Sequence, residues 1–111
     1  MPSLNRSNDD DLLVALRHPL RREILRRLAA ADALSPSELA NAMGKPLSNV
    51  SYHVRVLADC AAVVLVRTKP ARGSMQHFYR HAIEAPWARR ILGLPDGPGE
   101  AHGESSAQPG T

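Results

Sequence analysis

Before residue 60, apolar residues recur along the chain at helical spacing; from there to about residue 80 they do not. Leu12, Leu13 and Leu16 gather on one side of a first helix. Asn8 or Asp9 is placed to cap it, with Asp9, Asp10 and Asp11 at its electropositive start. Residues 1–8 read as a flexible N-terminus. His18-Pro19 ends this helix, because a residue before proline avoids helical angles. Pro19 then suits the first turn of a second helix. There Leu20, Ile24, Leu25 and Leu28 form the apolar stripe, and Arg21, Arg22, Arg26 and Arg27 cover the rest. Ser35-Pro36-Ser37-Glu38 has the form of a capping box, with Leu34 and Leu39 as its hydrophobic staple. This third helix runs to Gly44, a residue suited to a left-handed terminus. Only Lys45 and Pro46 then precede a fourth periodic stretch, LSNVSYHVRVLADC, from Leu47 to Cys60. Helix, short turn with glycine, helix is the layout of a helix-turn-helix unit.

Beyond Cys60 the periodicity changes. AAVVLVRT is rich in β-branched residues, and QHFYR follows after KPARGSM. Two short strands joined by a basic loop containing Pro70 and Gly73 make a β-hairpin. HAIEAPWARRILGL predicts a short last helix, with Pro86 near its start and Trp87, Ile91 and Leu92 or Leu94 apolar. The fold expected is mainly α with a small β-hairpin, in the order α-α-α-α-β-β-α. That is a winged helix-turn-helix domain over residues 9–94. The Gly-, Pro- and Ser-rich residues 95–111 read as a disordered tail.

The fourth stretch has two distinct faces. At about 100° per residue, Val50, Val54 and Leu57 share one direction, with His53 at its edge. Ser48, Tyr52, Arg55 and Asp59 point roughly opposite, flanked by Asn49, Ser51 and Val56. Arg can bond a guanine edge twice, Asn can do the same to adenine, and Val or a tyrosine ring can touch a thymine methyl. Taken alone, the helix also fits an ordinary amphipathic segment with a polar outside. The capped helix before it, the glycine turn and the basic hairpin after it favour a DNA reader. On that reading Ser48, Asn49, Ser51, Tyr52 and Arg55 contact DNA, and Arg67, Lys69 and Arg72 reach phosphates or the minor groove.

Composition narrows the classes. A length of 111 residues suits one small domain, and 4% aromatic content argues against a five- or six-stranded sandwich with an aromatic centre. The formal net charge of +3 is modest. Its distribution is more informative: Lys45, Arg55, Arg67, Lys69, Arg72 and Arg80 are accompanied over that span by the single acid Asp59. A basic middle favours a polyanionic partner. The lone Cys60 rules out an internal disulfide and fits a reducing cytoplasm. MPSLNRSNDDD lacks the apolar core of a signal peptide, and no run is long enough to span a membrane.

ALRHPLRREILRRL, LSPSELANAMG, LSNVSYHVRVL and VRTKPARGSMQHFYR together resemble winged-helix repressors of the arsenical-resistance (ArsR) type, over about residues 12–92. The most specific part is Ser51-Tyr52-His53-Val54 followed by Leu57. The resemblance implies a transcriptional regulator, a repressor binding a palindromic operator as a homodimer. It implies terminal helices at the dimer interface, carried here by Leu12, Leu13, Leu16, Trp87 and Ile91, of which Trp87 and Ile91 also fit an ordinary core. With the lone cysteine and no signal segment, the expected location is the cytoplasm, at the bacterial nucleoid. Two departures stand out. Cys60-Ala61-Ala62 replaces the Ala-Gly-Leu frequent after the recognition helix, and Lys45-Pro46 replaces its usual serine cap.

Metal-sensing members carry Cys-x-Cys at the start of the third helix; Ser35 and Ser37 occupy those positions and cannot replace thiolates. His81 and Glu84 form a His-x-x-Glu pair without the upstream Asp-x-His partner, so no metal and no cofactor is expected. His53 reads as a hydrogen-bonded core residue rather than a metal ligand. His18 reads as local structure before Pro19, and His77 in the second strand is open to either role. Cys60 fits an apolar filler better than a redox sensor. No phosphate loop or nucleophile–base pair stands out, so an enzyme is not expected. The rival reading is a winged-helix protein-interaction module without DNA binding.

Overall fold

A computed structural model of the chain describes residues 2–95. Helices α1 (Pro2–Arg17), α2 (Pro19–Ala29), α3 (Pro36–Met43) and α4 (Leu47–Asp59) come first. Strands β1 (Val63–Ala71) and β2 (Ser74–His81) and helix α5 (Pro86–Leu92) follow. The element order is the expected one. Helix α1, however, begins at Pro2, upstream of the cap expected at Asn8 or Asp9. Nothing between Ser3 and Asp11 breaks a helix, since glycine and proline are absent there. The three aspartates therefore lie inside α1. The tail expected over 95–111 falls, from residue 96, outside the described residues.

The α1–α2 corner shows how the arginines of α2 are used. A helix leaves its last four carbonyls without partners inside the helix. Arg21 takes up two of them, donating from Nη2 to the Val14 oxygen (2.9 Å) and from Nε to the Ala15 oxygen (3.2 Å). Arg22 Nη1 donates to the oxygens of Leu16 (2.6 Å) and Arg17 (3.3 Å). The break itself is sealed by His18, whose Nδ1 accepts the Leu20 amide at 3.0 Å. Arg21 and Arg22 thus anchor one helix to the next, beyond covering a solvated face.

Helix α3 is capped as expected. The Glu38 amide donates to Ser35 Oγ (3.1 Å), and the Ser35 amide donates to Glu38 Oε1 (3.0 Å). Gly44 ends it at φ 63°, where glycine avoids the steric cost of a Cβ. Helix α4 starts at Pro46 without a side-chain cap. At its other end Ala61 takes the left-handed conformation (φ 60°) that a glycine would occupy freely. The Ala62 amide still closes the turn on the Leu57 oxygen at 2.8 Å. Holding alanine in this conformation costs on the order of 1 kcal/mol.

The hairpin differs from expectation in where its loop lies. Lys69, Pro70 and Met75 belong to the ladder, with Lys69 opposite Gln76 and Pro70 opposite Met75. The turn is only Arg72-Gly73, both left-handed at φ 52° and 81°. Two consecutive positive φ values are what a tight two-residue hairpin turn of the primed kind needs. The segment expected as a basic loop is therefore mostly strand. Proline is tolerated because β1 is an edge strand. On its other side β2 exchanges hydrogen bonds with Leu34 through Tyr79, both at 3.0 Å, which fixes the wing to the start of α3.

The core gathers Ile24, Leu25 and Leu28 of α2, Leu39 of α3, Val50, Val54 and Leu57 of α4, Ile83, and Leu92 of α5. Arg26 Nε donates to the Leu92 oxygen at 3.1 Å and ties α5 back to α2. Side chains of this size contribute roughly 1.5–3 kcal/mol each when fully buried. Helix α4 is held by its inner face, which leaves its outer face free of structural duty.

Candidate nucleic-acid interface

The four inward residues of α4 are Val50, His53, Val54 and Leu57, all buried. The stripe expected from sequence is therefore the packed face. Opposite it, Ser48, Asn49 and Arg55 are exposed, and Tyr52 keeps 58% of its surface in solvent. Ser51 is half-buried at the flank. No described segment of the chain covers this face. Tyr52 is steadied by its neighbour, its ring standing edge-on to His53 at 5.1 Å between centroids.

The wing stands beside the helix and leaves a groove of about 450 Å³ between them. Ser51, Arg55 and Ala58 line it from α4, and Gln76 and His77 from β2. Leu47 and Met75 also face the groove and are half exposed, offering apolar contact beside polar donors. Sequence reading passed over Gln76 and left the role of His77 open, because their place beside Arg55 depends on hairpin register, which composition does not give.

The three wing cations have different settings. Arg67 lays its guanidinium over the Phe78 ring at 4.5 Å and is partly engaged within the wing. A bulge between Leu65 and Arg67 sets that orientation. Lys69 is exposed on the strand, and Arg72 is exposed at the turn. Arg72 holds its charge at the tip despite a left-handed backbone. Lys45, in the turn before α4, adds an exposed cation at the other end.

The five residues expected at a dimer interface are spread unevenly in depth. Leu16 is buried in the core of its own chain, whereas Leu12 and Trp87 are half-buried. Leu13 and Ile91 are each 50% exposed. Val14, which sequence reading passed over, is exposed beside Leu13.

The remaining candidates have local explanations. His81 Nδ1 accepts the Ile83 amide at 3.1 Å. Burial, aided by Arg89 and Arg80, lowers its pKa. Among the described residues no group of three or more His, Cys, Asp or Glu side chains is placed to hold a metal ion. Burial pushes the Cys60 thiol up, Asp11 adds to the rise, Arg21 opposes it and Asp59 adds a little more. A raised thiol is a poor nucleophile. No described helix is long and apolar enough to cross a membrane.

Fold and exposed helix together define a winged helix-turn-helix protein. A family model described as a helix-turn-helix domain matches residues 16–67. No curated protein sequence matches the chain. Among solved structures, the transcriptional repressor PagR of Bacillus anthracis is 20% identical with a TM-score of 0.61, over 82% of this chain and 95% of that one. The homodimeric winged helix-turn-helix DNA-binding domain of Mb0332 from Mycobacterium bovis, described as a possible ArsR-family regulator, is 20% identical with a TM-score of 0.59, over 82% and 77%. The antimony-specific transcriptional repressor AntR is 27% identical with a TM-score of 0.56, over 74% and 68%. The chain shares the winged-helix fold of these regulators, one of them described as a possible ArsR-family member.

Proposed function

We propose that this chain is a sequence-specific DNA-binding transcriptional regulator, a repressor that acts as a homodimer on a palindromic operator. The observation that carries the reading is the outer face of α4, with Ser48, Asn49, Tyr52 and Arg55 presented to solvent while the opposite face is locked in the core. A recognition helix must be rigid on one side and chemically varied on the other, and its N-terminal half enters the major groove. Arg55 and Asn49 supply bidentate groups, and Tyr52 and Leu47 supply apolar contact for a thymine methyl. Lys45, Lys69 and Arg72 meet phosphates, which gives affinity and register without sequence information. The half-exposed Leu13, Val14 and Ile91 support a dimer seam on the terminal helices. The regulator acts in the cytoplasm at the nucleoid.

Selection of bound fragments from random DNA at stated salt tests the proposal. A recurrent palindromic motif, bound in a salt-sensitive way by a dimer of the chain, is expected. Binding without sequence preference, or no binding at low salt, contradicts it and returns the fold to the protein-interaction reading.

A further inference from the structure

The outer face of α4 explains what is read, but not why one of its inner residues is a histidine. His53 is buried, with 8% of its surface exposed, in a stripe that is otherwise aliphatic. Its Nδ1 lies 3.3 Å from Arg21 Nη1. Arginine can only donate, so Nδ1 accepts and the ring proton sits on Nε2. His18 is fixed in the same tautomer by the Leu20 amide, and its ring packs on His53 with centroids 4.4 Å apart. The same Arg21 guanidinium holds the carbonyls of Val14 and Ala15 at the end of α1. One side chain therefore touches both the terminal helix, where the exposed Leu13 and Val14 lie, and the helix proposed to read DNA.

We infer that Arg21 and His53 form a latch between α1 and α4, and that the neutral imidazole of His53 is what sets the position of α4 on DNA. This inference rests on the DNA-binding reading above. Both members are positioning residues, since neither lies on the outer face. The latch requires His53 to be uncharged, because a protonated ring loses its acceptor and places a cation against Arg21. The surroundings make that costly. His18 and Arg21 face the ring from α2 and its cap, and Glu23, Arg27 and Lys45 line the same cavity. Glu23 is paired with Arg27 at 2.8 Å, so it offers His53 little compensation. Tyr52 contributes only a ring edge. Burial, then His18, then Arg21 lower the His53 pKa below the ordinary value. The neutral, latched form is therefore favoured above about pH 6.5 and is lost as pH falls through the lowered pKa.

The test uses the full chain, a duplex selected by it from random DNA, and a scrambled duplex of equal length, at fixed salt. The readout is the ratio of the two affinities, in which the general gain of positive charge at low pH cancels. In the native chain this ratio is expected to fall between roughly pH 7.5 and pH 5.5, by less than the roughly tenfold that an imidazole of ordinary pKa would give, and to keep falling below pH 5.5. His53→Gln keeps an acceptor for Arg21 and cannot titrate. It is expected to hold the neutral-pH ratio within about threefold and to flatten the profile. Arg21→Met should lower the ratio at both pH values. An equal fall in His53→Gln and in the native chain overturns the latch. If His53→Gln does not fold, as circular dichroism will show, nitrogen-15 NMR of the native chain decides. The Nε2–H tautomer of His53 at neutral pH, with amide shifts at Val14 to Arg17 that follow its titration, supports the latch. The other tautomer, or α1 amides indifferent to the titration, overturns it. A chain that prefers no DNA at neutral pH contradicts the DNA-binding reading instead, and the NMR arm still decides the latch.

Discussion

Helix α4 and the wing present similar donors and cations, yet they are held in opposite ways. Helix α4 is fixed by four buried side chains, and its outer residues inherit that rigidity. Of the wing strands, only Val63 and Phe78 are buried, with Tyr79 half-buried and bonded to Leu34. Its tip carries Arg72 in a left-handed conformation. Rigid placement suits base reading, where a bidentate pair tolerates little error. A lightly anchored ribbon suits phosphate contact, where a charge is effective over a wider range of positions. The comparison therefore predicts that stability is concentrated in the helix and salt dependence in the wing.

The largest expected break is in stability. Leu57→Ala should destabilise the chain by about 2–5 kcal/mol in urea unfolding, because it opens a cavity in the core. Lys69→Ala on the wing should change stability by no more than about 0.5 kcal/mol. Equal losses would mean that the wing is as integral as the helix. Next comes specificity. Arg55→Ala should weaken binding to the selected duplex by about 1–3 kcal/mol and leave random DNA nearly unaffected. Equal loss on both would assign Arg55 to phosphate.

Salt dependence follows. Replacing Lys69 and Arg72 with alanine should reduce the slope of log affinity against log salt by about 2, roughly one for each phosphate lost. An unchanged slope would remove the wing from the binding surface. The smallest effect lies at the two left-handed residues. Ala61→Gly should stabilise the chain by about 0.5–1 kcal/mol without altering DNA affinity. Arg72→Gly should stabilise to a similar degree while weakening DNA binding. A loss of stability in either variant would show that the backbone there carries no strain to relieve.

Much of the fold was legible because local chemistry decides it. His18-Pro19, the Ser35–Glu38 box and Gly44 mark boundaries through their own hydrogen bonds and φ angles. The inner stripe of α4 was legible from spacing, and the outer face follows from it. The start of α1 was not, since a sequence without breakers sets no boundary of its own. The loop of the hairpin was misplaced because basic residues on an edge strand resemble loop residues in composition. His53 was legible as a hydrogen-bonded core residue, but its partner Arg21 was hidden for another reason. The two residues lie 32 positions apart in the chain and meet only through the packing of α2 on α4, and spacing within one helix carries no information about that contact.

On the proposed function, the outer face of α4 discriminates between DNA sequences. The most direct measurement is the affinity of an Asn49→Ala, Tyr52→Ala, Arg55→Ala variant for the selected and scrambled duplexes at one salt concentration. The expected result is loss of the preference, with binding to the scrambled duplex largely retained through Lys45 and the wing. A variant that still prefers the selected duplex as the native chain does would contradict it.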